Sequence, residues 1–175
     1  GEAARLHRAA GARTSAIVAD LNVATITYRH EHDIPRAAAT YQRALEGSRA
    51  CEFARGEAAA LTSLGALALV CDEDAEALTH LDAAIPIWDA AQELRNAAYA
   101  VFLGALARRG VPEALSTWTA RHRAALPTSA SAEERLHQVV LDLLVALASS
   151  PDSVPDDAPL AAAIDALDRP CSPED

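Results

Sequence analysis

Methionine and lysine are absent from this sequence, aromatic residues make up only 4% of it, and its three cysteines stand far apart at positions 51, 71 and 171. Without a methionine, Gly1 is no translation start, so the chain is expected to be a segment or processed product of something longer. The basic residues are all arginine, a skew that fits a GC-rich coding sequence and carries no mechanism. An odd number of widely spaced cysteines suits neither a disulfide framework nor a zinc knuckle, which points to a reducing, cytoplasmic setting. No run of about eighteen apolar residues exists to span a membrane, and no basic segment followed by an apolar stretch opens the chain as a secretion signal. The net charge of -10 repels phosphate backbones and argues against direct nucleic-acid binding by this segment.

What is present in quantity is alanine, about a quarter of the 175 residues, within a chain that is 51% hydrophobic. Alanine loses no side-chain entropy on ordering, and its small side chain lets helices approach closely. The composition therefore predicts stacked helices in a domain large enough for a real core.

The pattern along the chain divides into helix pairs. Residues 2–10 read as the end of a helix stopped near Gly11, and residues 14–30 as the next, through Ile17, Leu21, Ala24 and Tyr28. Asp33 is placed to cap a following helix with Pro35 in its first turn, where a missing N–H does no harm. A helix over 55–70 carries Leu61, Leu64, Gly65 and Ala68. An acidic turn at 71–74 then leads into a helix with Ala77, Leu81, Ala84 and Ile85, in which Pro86 predicts a kink. A third pair covers 94–108 and 111–125, with Gly110 as the stop and Pro112 as the opening. After a break at Pro127 and Thr128, Ser131 with Glu134 forms a capping box ahead of a helix over 136–148. Residues 149–159 read as a mobile linker, 160–167 as a short amphipathic helix, and 170–175 as a frayed end. The organisation expected is a helical repeat domain over 1–149 and an acidic, proline-rich linker and tail over 150–175.

The pairs repeat. Ala37, Tyr41 and Ala44 share their spacing with Ala77, Leu81 and Ala84, and Ala114 and Trp118 begin it again, with Arg121 in the third place. Leu64-Gly65 is echoed by Leu103-Gly104. A small residue on the first helix would let the second lie close, and a large residue on the second would fill the hole between hairpins; one hairpin cannot bury its own apolar face, so several must stack. These residues resemble the tetratricopeptide repeat in its long form, with a period near forty residues. The resemblance covers about residues 14–126, and the segments 41–49 and 54–65 are similar to repeats in large bacterial regulators of the LuxR type and the actinobacterial antibiotic-regulator type. It departs in two places. The first repeat has one extra residue between its helices, with Ala24 or Thr25 as its small position, and the third has a turn about two residues short. The resemblance implies an all-α, right-handed superhelix of about three hairpins plus capping helices. It further implies a non-enzymatic protein- or peptide-binding sensor or scaffold within a larger regulator.

Candidate sites follow from residue types and from this register. His30-Glu31-His32-Asp33 holds two imidazoles and two carboxylates, but residues two apart on a helix face opposite ways, so a solvated loop with an N-cap aspartate is favoured over a metal site. No sequence signature of a nucleophile, a zinc protease or a phosphate-binding loop occurs, and no catalytic residue, cofactor or metal is expected. Cys51 and Cys71 read as buried small apolar residues. Arg108, Arg109, Arg121, His122 and Arg123 offer either a solvated face or a grip for an acidic partner. The register implied by the resemblance lines the inner groove with Asn22, Ala59, Thr62, Ala66, Leu69, Ala98, Val101, Ala105 and Arg108, which suits an apolar helix or peptide. The occupant could be a separate protein, an adjacent module of the full-length chain, or the helix at 136–148. An assembly module that dimerises through its end hairpins is the alternative, ahead of an enzyme on the same helices.

Overall fold

A computed structural model describes residues 2–126, 130–149, 158, 159, 161 and 162, with the side chains of 3–10 left aside. Among these residues the chain is all-helical and its helices pack in consecutive pairs. The order is α1 (Glu2–Ile26) closed by a π-helical turn (Thr27–Glu31), α2 (Ile34–Ala50), α3 (Ala54–Val70), α4 (Asp74–Ala90), α5 (Leu94–Ala107), α6 (Pro112–Ala125) and α7 (Ala132–Ser149). The expected segments at 127–128, 150–157 and 163–175 lie outside the described residues. Ala158 and Pro159, expected as linker, are helical, as are residues 161 and 162.

The chain forms two compact units, Gly1–Glu93 and Leu94–Asp175. In the first, α2, α3 and α4 are each 17 residues long and start 20 residues apart. The connections keep the same beat: His32, Glu52, Asp72 and Gln92 all sit in the left-handed backbone region with φ between 54° and 59°. At the last three, two hydrogen bonds close the helix end. The N–H groups of Phe53, Glu73 and Glu93 reach the carbonyls of Ser48, Ala68 and Trp88 at 2.8, 2.9 and 3.1 Å. The N–H groups of Glu52, Asp72 and Gln92 reach those of Arg49, Leu69 and Asp89 at 3.3, 3.2 and 3.1 Å. This is the Schellman closure, which satisfies carbonyls that a helix end leaves without partners and turns the chain in three residues. Connections that short leave neighbouring helices no option but to run antiparallel.

Two expectations need correction. Gly11 does not stop a helix; α1 runs through it. A lone exposed glycine costs about 1 kcal/mol against alanine, too little to end a helix supported on both sides. Helix α4 continues through Pro86, which lies with Asp82 on its exposed face. The first hairpin does not hold an extra residue, since its left-handed residue stands 40 positions before that of the second. Its small position is Thr25, which has the same offset to Tyr41 as Gly65 has to Leu81. The helix expected over 136–148 starts earlier, at Ala132, and α5 ends at Ala107, ahead of Gly110, but two helix starts stand as read. Asp33 accepts a hydrogen bond from the Arg36 N–H at 3.0 Å, and Pro35 falls in the first turn of α2. Ser131 and Glu134 exchange both bonds of a capping box.

Close approach within each hairpin depends on missing side chains. A Cβ on Gly65 would stand 2.7 Å from Leu81 Cγ, and one on Gly104 would stand 2.5 Å from the Trp118 ring. Thr25 fills the same position with a hydrogen bond: its hydroxyl donates to the Leu21 carbonyl at 2.9 Å, so the Tyr41 hydroxyl donates to it at 2.8 Å. Thr62 repeats the device, donating to Ala58 at 2.8 Å and accepting the Trp88 indole N–H at 3.0 Å. Around these pairs the first unit buries Ile17, Leu45, Leu61, Leu64, Leu67 and Ile85.

The second unit is built differently. Helices α5 and α6 are 14 residues each, joined through Arg108–Val111, and α7 packs on both. Its core combines Val101, Phe102, Leu103, Leu115 and Leu141 with four buried polar side chains, Thr119, His122, Glu134 and Gln138.

Candidate functional site

The nine groove positions fall into three states of exposure. On α1 the register is open: Asn22 is exposed, and the other positions at the same offsets, Ala19, Ile26 and Arg29, are exposed as well. Val18, Val23 and Ile26 add large apolar side chains that are 43%, 48% and 54% exposed. On α3, Ala59, Ala66 and Leu69 are half-buried. Thr62 is buried beneath Trp88, its hydroxyl fully used, and does not belong to an open surface. On α5, Ala98, Val101 and Ala105 are buried and Arg108 is half-buried. Nine of the 14 residues of α5 are buried, on every side of it, so no open groove runs along this helix.

The run of basic residues is not one patch. The guanidinium carbons of Arg108 and Arg121 lie 3.8 and 5.0 Å from the Trp118 ring centre, within cation–π range. Arg109 donates to the Leu106 carbonyl, Arg123 pairs with Asp142 at 2.6 Å, and His122 is fully buried. The 30–33 cluster is likewise drawn into helix ends. Glu31 pairs with Arg36 at 2.6 Å and Asp33 serves as N-cap. Among the described residues no three His, Cys, Asp or Glu side chains stand together as metal ligands. Cys51 is half-buried and Cys71 exposed, because both fall at helix C-caps and not on core faces. Cys171 lies outside the described residues.

One constellation that the sequence did not flag joins α5, α6 and α7. His137 stacks on Phe102, with ring centres 4.1 Å apart and planes 13° apart. Tyr99 stands 5.8 Å from His137, and His122 lies 6.0 Å from Phe102 and 6.4 Å from His137. Behind the rings runs a polar chain: Arg123 to Asp142 at 2.6 Å, Gln138 amide to Asp142 at 2.8 Å, and Gln138 to His122 Nδ1 at 2.8 Å. Asp142 only accepts, so Gln138 turns its NH2 toward the carboxylate and its oxygen toward the ring. His122 Nδ1 therefore carries the proton. The bare Nε2 is buried without a hydrogen-bond partner.

Burial pushes the His122 imidazole below its ordinary range, against the Gln138 hydrogen bond and the Asp142 and Glu134 charges that pull it up. Burial also lowers His137, where the Glu133 and Glu134 charges oppose it and the neighbouring His122 reinforces it. For Glu134, burial is the largest influence and raises it. The Ser131 N–H and hydroxyl, Arg95 and His137 together outweigh burial and hold the carboxyl below its usual range. A sequence signal for this cluster exists: Glu134, Gln138 and Leu141 share one face of α7, and polar residues at core-facing positions mark a buried network.

The chain matches no protein-family model, no curated protein and no solved structure. What the fold defines is a class, paired antiparallel helices in two units, with no helix among the described residues long and apolar enough to cross a membrane.

Proposed function

We propose that this chain is a non-enzymatic helical-repeat domain of tetratricopeptide type that holds a protein partner. In this reading its hairpins continue in a right-handed superhelix, and the domain serves a larger bacterial regulator in the cytoplasm. The partner presents an amphipathic helix or apolar peptide to the open face of α1. One observation carries the reading: Val18, Val23 and Ile26 are about half exposed on the helix whose repeat register is open. Apolar side chains on one helix face in water favour a partner's apolar face, and Asn22 among them offers a polar contact that fixes register. The coincidence of Thr25, Gly65 and Gly104 at matching positions supports the repeat assignment.

The test is panning of a displayed peptide library against the intact chain, with the double variant Val18→Asp, Ile26→Asp as counter-selection. Peptides with apolar residues at helical spacing should be enriched and should lose binding to the variant. Absence of enrichment, or binding that the variant retains, rejects the reading. Light scattering on the same two proteins separates the assembly alternative, for which the parent chain would be a dimer and the variant a monomer.

A further inference from the structure

We propose that α7 is an acid-released latch, held on α5 and α6 by the neutral pair His122 and His137 and freed when these imidazoles take up protons.

The geometry gives each ring a reason to stay neutral. His122 is fully buried, and its one proton is committed to Gln138. A second proton must go on Nε2, which has no acceptor in its surroundings. A buried donor without an acceptor, on a charged ring, is among the costlier arrangements a core can hold. His137 lies flat on Phe102 with Tyr99 at its side and the second imidazole 6.4 Å away, so charge on one ring opposes charge on the other.

Charged groups reach the pair from all three helices. From α5 comes Arg95, from α6 Arg123, and from α7 Glu133, Glu134 and Asp142. Two of the three carboxylates are already engaged, Glu134 by Arg95 at 3.2 Å and Asp142 by Arg123 at 2.6 Å. Glu133 is exposed to water, which screens it.

The sign of the pH dependence follows. Once α7 is released, both rings meet water and take up protons from the ordinary imidazole value of 6.5 downward. In the docked state burial lowers both, so the released state binds more protons in that range. Docking is therefore at full strength above 6.5 and weakens as pH falls below it. Each pH unit by which a docked ring titrates below the released one shifts the equilibrium about tenfold toward release. Release uncovers Phe102 and Leu141, a second apolar surface available only in acid.

Hydrogen exchange on the full chain tests this, with each rate corrected for its intrinsic pH dependence. Between about pH 7.5 and about pH 5.5, α7 amides should lose at least about tenfold in protection while α2, α3 and α4 keep theirs. The variants His137→Phe and His122→Asn, which keep a ring on Phe102 or a donor to Gln138, should each hold α7 in place at the lower pH better than the parent. Equal protection of α7 at both pH values overturns the proposal. Equal loss in all helices also overturns it, since that is general acid unfolding. So does loss undiminished in both variants, which would assign release to the carboxylates. If a variant fails to fold, imidazole titration by NMR decides on the parent chain. Ordinary titration of both rings with α7 still protected refutes the latch, and titration that coincides with loss of α7 protection supports it.

Discussion

The two units solve one problem, how to hold short helices side by side, with different materials. The first unit is metronomic: three 17-residue helices, three identical closures, and a core rich in alanine and leucine in which Thr25 and Thr62 accept hydrogen bonds from Tyr41 and Trp88. The second has α5 and α6 shorter, no left-handed residue among its described positions, and a core that includes an imidazole, an amide and a carboxylate, with a second imidazole half-buried beside them. Apolar packing is indifferent to pH, whereas a buried polar network is strong only while every member is satisfied and in its right protonation state. The comparison assigns permanence to the first unit and conditional stability to the second.

The strongest challenge to that contrast is a cavity in the first unit. Leu81 is fully buried against Gly65, so Leu81→Ala should cost about 2–5 kcal/mol in urea unfolding. Gly65→Ala should by itself destabilise by about 1–3 kcal/mol, because the new methyl meets Leu81 Cγ and the helix-propensity gain does not cover the clash. In the Leu81→Ala background the same change should cost much less, since the Leu81 clash is gone and a propensity gain of about 1 kcal/mol is set only against the Ala77 carbonyl, 3.3 Å from the new methyl. A Gly65→Ala change with the same effect in both backgrounds would mean that the two side chains do not set the interhelix distance.

The polar core of the second unit should respond to removal of one partner. Gln138→Leu strands the Nδ1–H of His122 in the interior and should cost about 1–3 kcal/mol, read as a lowered unfolding midpoint. The matching change in the first unit is Thr62→Val, which takes the acceptor from the Trp88 indole and should cost about 1 kcal/mol. Adding Trp88→Phe to Thr62→Val should add little beyond the lost packing. Only the Gln138 effect should shift with pH between about 5.5 and 7.5, because only there is an imidazole involved. A pH-independent Gln138→Leu penalty would remove the distinction between the units.

Much of this architecture was legible from spacing, because residues that set helix contacts recur with the repeat. Gly65 and Gly104 were readable as packing positions, and both stand against the large residue of the next helix. Asp33, Pro35, Ser131 and Glu134 were readable as helix starts, because capping is local chemistry. Exposure of the groove was not readable. Nothing in Ala98 or Val101 distinguishes a residue lining a groove from one buried on every side, and Thr62 revealed its role only through Trp88, 26 residues away. The imidazole cluster was missed because it joins three helices: Glu134 and Gln138 on the core face of α7 signal a buried network, but nothing local names His122 or Phe102 as its partners.

The helix closures give the smallest and most discriminating effect. The sequence puts Gly65 and Gly104 at packing positions and leaves Glu52, Asp72 and Gln92 in the left-handed region, where a Cβ is strained by about 1 kcal/mol. Glu52→Gly and Gln92→Gly should each stabilise the first unit by about 0.5–1 kcal/mol, less than the strain relieved because glycine also gains freedom in the unfolded chain. Their effects should add, since the two closures sit at the ends of different helices and share no partner. In the second unit Gly110 occupies the α5–α6 connection without a left-handed φ and with open space at its Cβ position. Gly110→Ala should therefore be harmless or slightly stabilising, the reverse of the sign expected for a glycine that serves as a helix stop. Circular dichroism melts of these three variants would show whether the regular beat of the first unit is held by strained residues that glycine can relieve. A destabilising Glu52→Gly would show that the left-handed residues contribute side-chain contacts worth more than the strain they impose.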